Sequence, residues 1–223
     1  AEIIDEKPEE WWLEQLCAPL YMDQKFVLEN LSGGALETAI NHNLKHEYWG
    51  VRELAIKAIE RTNNSAQFET LLLDVAANDD RTIVRAEAIS VLSTLEESGK
   101  HEELFEKATK EMSYAIAGSG LDALAVVNEE KALIAARMFE KESKNELEEA
   151  VMRTYATLGD LQEFYFFEKR LQTASNYDLY ITAAYFSEYL KKQDLNTAAK
   201  GAPMIIEASK NAPSWANYYF NIM

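Results

Sequence analysis

Three histidines, one cysteine and a surplus of carboxylates are the residues of this sequence that could do chemistry. His42 and His46 stand four apart in Asn41-His42-Asn43-Leu44-Lys45-His46, a spacing that can turn two imidazoles toward one metal ion on a helix. A zinc-peptidase helix would carry its general-base glutamate directly after the first histidine, and that position is Asn43. No third ligand is evident, so a solvated helix face is the expected reading. His101-Glu102-Glu103 opens like the same motif, but Phe105 occupies the second histidine position and the match reads as chance. Cys17, flanked by Leu16 and near Pro19, lacks the histidine partner that would make it a nucleophile and is expected to pack. Gly33-Gly34 and Gly118-Ser119-Gly120 have neither the spacing nor the following Lys-Ser/Thr of a phosphate loop. With 38 Asp plus Glu, no pair of carboxylates stands out. The expectation is a chain with no catalytic residue, no metal ligand and no cofactor of its own.

The composition narrows the partners. The 223 residues carry 22 Lys plus Arg against 38 Asp plus Glu, a formal net charge of −16. Nucleic-acid binding and docking on anionic lipid both need a positive footprint, so neither is expected. One cysteine excludes an internal disulfide framework and a cysteine zinc finger. Apolar residues at 48% and charged residues at 27% fit a folded chain with a real core. No stretch approaches the roughly 18 apolar residues of a membrane span. The opening Ala1-Glu2-Ile3-Ile4-Asp5-Glu6 is acidic and lacks methionine, so the expected origin is an excised piece of a longer chain. Nothing here points to a compartment.

The elements that would position these residues are helices. Proline punctuates the reading: it occurs at Pro8, Pro19, Pro203 and Pro213, with none between 20 and 202, which permits helix after helix. Ala, Leu, Glu and Lys abound, and apolar residues recur at three and four, as in Leu54, Ala55, Ile56, Ala58 and Ile59. No sustained period-two run appears. The fold class is all-α. Ser32-Gly33-Gly34, Asn63-Asn64-Ser65, Asn78-Asp79-Asp80, Glu97-Ser98-Gly99 and Leu158-Gly159-Asp160 supply left-handed or capping residues for its corners. Gly118 and Gly120 fall instead inside an apolar run, where they would let helices pack closely.

Internal repetition organises these helices. Trp49-Gly50-Val51-Arg52-Glu53-Leu54-Ala55-Ile56 aligns with Thr82-Ile83-Val84-Arg85-Ala86-Glu87-Ala88-Ile89, and more weakly with Tyr114-Ala115-Ile116-Ala117-Gly118-Ser119-Gly120-Leu121. The offsets between Val51, Val84 and Ile116 are 33 and 32 residues, and in the third copy Ala117 replaces the arginine. A helical unit of this length with Val-Arg opening its second helix resembles a HEAT repeat. Trp49, Val51, Ala55, Val84, Ala88, Ile116 and Gly120 then form the repeat core. Ala55, Ala88 and Gly120 are expected to be small because neighbouring repeats approach there. Arg52 and Arg85 are expected to brace adjacent repeats through carboxylates or helix-end carbonyls near Asp79 and Asp80; the alternative places them on a concave face that binds an anionic ligand. The whole of 1–223 reads as one superhelical array of helix pairs. The repeats are clearest over about 23–125, and the helices over 126–223 are more divergent.

Aromatic residues concentrate in the second half. Phe164-Tyr165-Phe166-Phe167 joins Tyr177, Tyr180, Tyr185, Phe186 and Tyr189. Such a stripe reads as helix-to-helix core; Tyr165, Tyr180 and Tyr185 could instead line a peptide groove. The ending Trp215-Ala216-Asn217-Tyr218-Tyr219-Phe220 is expected to cap the last helices.

Trp49-Gly50-Val51-Arg52-x-x-Ala55 resembles a stretch in the C-terminal helical domain of the aminopeptidase N family of zinc metallopeptidases. Trp11-Trp12-Leu13-x-Gln15-Leu16, Ser113-Tyr114, Tyr155-Ala156-Thr157-Leu158-Gly159-Asp160 and Phe166-Phe167-Glu168 are similar too, in the family's order. The resemblance covers roughly residues 11–190. It implies the helical domain of such a peptidase, stacked over the catalytic cleft and limiting which peptides enter. Its partners would be the catalytic domain of the same polypeptide and peptide substrates, and the zinc would belong to that other domain. The family's H-E-x-x-H and G-A-M-E-N stretches are not in this sequence, and the spacing from His42/His46 to the family's glutamate ligand falls on Ser65. A free-standing HEAT-like scaffold for a protein partner is the alternative from another class. A helical-repeat DNA-repair enzyme would need a basic concave face and is contradicted by the charge.

Overall fold

A computed structural model of the protein describes residues 8–16, 20–141, 144–174 and 176–210. Cys17, Pro19, Pro213 and the aromatic ending at Trp215 lie outside the described residues. Among the described residues there are thirteen α-helices and no strand. The chain divides into two compact units, with the boundary between Val127 and Asn128.

The first unit holds α1 (Glu9–Gln15), α2 (Tyr21–Asn30), α3 (Gly33–Asn43), α4 (Trp49–Ile59), α5 (Glu69–Asn78), α6 (Thr82–Thr94), α7 (Glu102–Ala108) and α8 (Tyr114–Val127). Short 3-10 turns at Ser65–Phe68 and Ser98–His101 lead into α5 and α7. The first residues of α4, α6 and α8 repeat at offsets of 33 and 32 residues, the spacing of the Val-Arg pattern. Helices α2, α4, α6 and α8 pack each against the next, and α3, α5 and α7 back them as hairpin partners. Each inner helix turns its three-and-four face inward: Val51, Ala55, Ile56 and Ile59 are buried, as are Val84, Ala88, Ile89 and Leu92 and then Ile116, Leu121 and Leu124. Leucine and isoleucine side chains buried to this extent stabilise by about 1.5–3 kcal/mol each relative to exposure.

The expected corners fall between helices, but only one of the five uses a left-handed backbone. Gly33 opens α3 at φ +56°, whereas Gly159 closes α10 with φ −63° in extended backbone. Asn145 is the other left-handed position among the described residues. Gly120 serves close approach, as expected, but toward a different neighbour. The backbone beside it is the end of α7, its own hairpin partner: a Cβ at 120 would lie 2.7 Å from Ala108 Cβ and 2.8 Å from the Thr109 nitrogen. Gly120→Ala should therefore destabilise the first unit by about 1–3 kcal/mol despite its better helix propensity. A denaturation midpoint equal to or above that of the parent would refute this.

The second unit holds α9 (Glu129–Phe139), α10 (Asn145–Leu158), α11 (Phe164–Thr173), α12 (Asn176–Lys192) and α13 (Leu195–Lys210). Helix α10 packs on α9 and α12, and α13 packs on α11 and α12. Two starts are capped in ways the sequence reading overlooked. The Asn128 side chain accepts from the Lys131 N–H at 3.1 Å. Asp194 Oδ1 accepts from the Thr197 and Asn196 N–H groups at 3.1 and 2.8 Å and its Oδ2 from the Thr197 hydroxyl at 2.9 Å, and these bonds hold its carboxyl below the usual range. Pro203 does not punctuate here. It lies inside α13, where it deprives the Ala199 carbonyl of its helical donor; Ala202 and Pro203 are exposed, which leaves that side of the helix open to water.

Candidate functional site

Arginine clamps are the most organised polar feature of the first unit. Val51 buries the start of α4 and so holds Arg52 one residue on, 12% exposed, over the turn between α5 and α6. All five N–H donors of Arg52 are engaged. Nε and Nη2 grip the two oxygens of Asp79 at 2.8 Å each, Nη2 also meets Asp80, and Nη1 donates to the carbonyls of His46 and Glu47 at 2.9 and 3.0 Å. Asp79 Oδ1 in turn accepts from the Arg81 N–H at 2.9 Å. Arg85 repeats the arrangement one unit later with fewer partners: Nε donates to the Ala76 carbonyl at 2.9 Å, and Nη2 stands 3.4 Å from Glu111. Arg61, which the sequence reading passed over, donates to the Leu28 and Glu29 carbonyls at the end of α2. In the third repeat Ala117 is buried and supplies no clamp.

The electrostatics follow from this geometry. Burial pushes the Asp79 carboxyl up, but the Arg52 guanidinium and the Arg81 N–H outweigh it and hold the group below its ordinary 3.8; Arg52 is correspondingly raised. A carboxylate depressed in the folded state contributes stability above its unfolded value and loses it as pH falls through the folded one. Asp79→Asn should thus cost about 2 kcal/mol at neutral pH, and the gap to the parent should close as pH drops below 3.8. Thermal unfolding of both proteins across that range checks the sign; a gap independent of pH would refute it.

The histidines sit in local structure. His46 Nδ1 accepts from the Tyr48 N–H at 3.0 Å, and its Nε2 faces the Gln24 amide at 3.3 Å. His101, nearly buried, has its Nε2 3.2 Å from a Glu69 oxygen, while Lys100 takes the other oxygen of that carboxylate at 2.7 Å. Among the described residues no group of three or more His, Cys, Asp or Glu is placed to hold a metal ion. Nδ1 of His46 is thus engaged within its own turn.

The aromatic stripe of the second unit splits. Phe164, Phe167, Phe186 and Tyr189 are buried, with the Phe167 and Phe186 rings stacked at 5.3 Å and 20°. Tyr189 donates to the Asp160 carbonyl at 2.5 Å, and burial together with the charges of Glu163, Asp160 and Asp194 pushes its hydroxyl up to about 12. Buried Glu163 holds the same corner: Oε1 accepts from Arg137 Nε at 2.8 Å and Oε2 from the Asp160 N–H at 2.8 Å. The three tyrosines singled out from sequence have different surroundings. Tyr165 is 65% exposed, with the Lys200 ammonium 5.3 Å from its ring. Tyr185 is half-buried and donates to Glu149 at 2.8 Å while accepting from Arg153 at 3.2 Å; burial, opposed by Arg153, raises its hydroxyl. Tyr180, also half-buried, has its ring 6.3 Å from that of Tyr177.

On and beside α2, Leu20, Met22 and Phe26 are exposed, and the Tyr21 ring meets that of Tyr48 edge-on at 5.7 Å. Among the described residues no helix is long and apolar enough to cross a membrane. The chain matches no model of a known protein family, and no curated protein matches it.

Proposed function

We propose that this chain is a non-catalytic helical domain of a zinc aminopeptidase of the aminopeptidase N type, acting as a cover that restricts which peptides reach a catalytic domain in the same polypeptide. The observation that carries the reading is the Trp49-Gly50-Val51-Arg52 segment, whose arginine engages all five donors in joining one helix pair to the next. A residue type and spacing that resemble the family's are thus tied to the job a stacked cover needs, which is rigidity. Such a cover acts on substrate entry and KM, not on bond cleavage. The zinc, the general base and the amine anchor belong to the other domain on this reading.

The test compares this chain with the full product of its own gene in a zinc-supplemented aminopeptidase assay. The expected result is activity in the longer protein alone, abolished by a chelator. A gene product without a zinc-peptidase domain would overturn the reading. The excess of carboxylates also implies a preference for basic over acidic peptides in the active parent, shrinking as salt screens the field. A preference that ionic strength does not change would remove this electrostatic part. The exposed apolar side chains of Leu20, Met22 and Phe26 on and beside α2 favour a second reading, a free-standing scaffold that docks a protein partner, and the same gene comparison separates the two.

A further inference from the structure

The second unit contains a polar notch of about 460 Å³ between α10 and α11, lined also by Glu140 and Lys141. Its charges are unusual for this chain. Lys141, Lys169 and Arg170 converge on it with two carboxylates, Glu140 and Glu148, so that cations are in the majority in a protein of net charge −16. Both carboxylates are already committed: Glu148 takes Arg170 Nη1, and Glu140 accepts from the Tyr155 hydroxyl at 3.2 Å. The exposed Lys141 and Lys169 have no ion-pair partner among the described residues. Arg170, whose side chain is 23% exposed, is held against the notch by Glu148. One wall is aromatic, made of the exposed Tyr165 and half-buried Phe166.

From this arrangement we infer that the notch binds an oxyanion, a carboxylate or a phosphate, carried on a small group flat enough to lie against Tyr165 and Phe166. The ammonium groups of Lys141 and Lys169 supply the attraction, and the guanidinium, held in place by Glu148, adds a fixed positive charge beside them. Glu148 is neutralised by Arg170 and Glu140 keeps its charge, so the two lysines leave the notch with one net positive charge. The inference is independent of the peptidase reading, since it concerns binding by this chain alone.

The probes are inorganic phosphate and benzoate, titrated separately into the chain at low ionic strength and followed by calorimetry and by backbone amide shifts of α10 and α11. Lys141→Gln/Lys169→Gln should weaken binding by about tenfold or more. Lys45→Gln/Lys107→Gln removes the same charge at two exposed lysines outside the notch and should change it by less than about twofold. Circular dichroism of both variants confirms that they fold. Benzoate binding without phosphate binding assigns a carboxylate ligand, the reverse assigns a phosphate, and binding of both assigns either. If neither probe binds up to about 20 mM, or if the two variants lose affinity equally, the site does not exist.

Discussion

Replacing Arg52 with methionine should destabilise the first unit by about 3–5 kcal/mol. The change keeps much of the side chain's volume and removes all five donors. What remains is Asp79, only 8% exposed, as a buried carboxylate facing no guanidinium, together with two carbonyls that lose their partners. The cost of the stranded carboxylate dominates, because a net hydrogen bond is worth only about 1 kcal/mol while an unpaired buried charge is worth several. A fall in melting temperature of roughly 10–15 °C follows for a unit of this size. The double variant Arg52→Met/Asp79→Leu should regain about half of the loss, since removing both charges also removes the desolvation cost. Arg85→Met should cost less, about 1 kcal/mol, because its carboxylate partner stands 3.4 Å away and is partly exposed. Equal losses for Arg52 and Arg85, or a double variant as unstable as the single, would contradict the clamp.

The second large effect separates neighbours. Phe167→Ala should cost the second unit about 3–5 kcal/mol, and Tyr165→Ala less than about 0.5 kcal/mol, although the two aromatics are two residues apart. Phe167 is fully buried, stacked on Phe186 and 5.3 Å from the Tyr189 ring; its removal leaves a cavity that rigid helices cannot close. Tyr165 points to solvent beside Lys200. Hydrogen exchange of α11 and α12 in each variant measures the difference. If both substitutions speeded exchange alike, the division of the stripe into core and surface would be wrong.

How much of this was readable beforehand depends on the range of the signal. The helical class, the repeat spacing and the inner faces of α4, α6 and α8 follow from local periodicity, and Val51, Val84 and Ile116 carry it plainly. Arg52 and the Asn78-Asp79-Asp80 corner were each visible, one as a repeated residue and the other as a turn. The role of Arg61 was not, because its acceptors are main-chain carbonyls at Leu28 and Glu29, and a carbonyl leaves no mark on residue type. The aromatic stripe could not be divided into buried and exposed members beforehand because burial in a helix depends on a 100° step. Tyr165 and Phe167 are two steps apart and so face different sides, which a count of aromatics cannot show. Pro203 defied the punctuation rule where one helix side is open to solvent, so the lost hydrogen bond leaves no carbonyl stranded in the core.

The clamps that end on main chain carry an evolutionary consequence. An arginine that holds the Ala76 carbonyl, or those of Leu28 and Glu29, asks nothing of the side chains at those positions, because every residue brings the same oxygen. Its partners can drift freely in sequence while the joint persists. Only the arginine and the helix end that presents the oxygen must be kept. Arrays built on such joints can diverge until their repeats are no longer recognisable to one another and still stack in the same way.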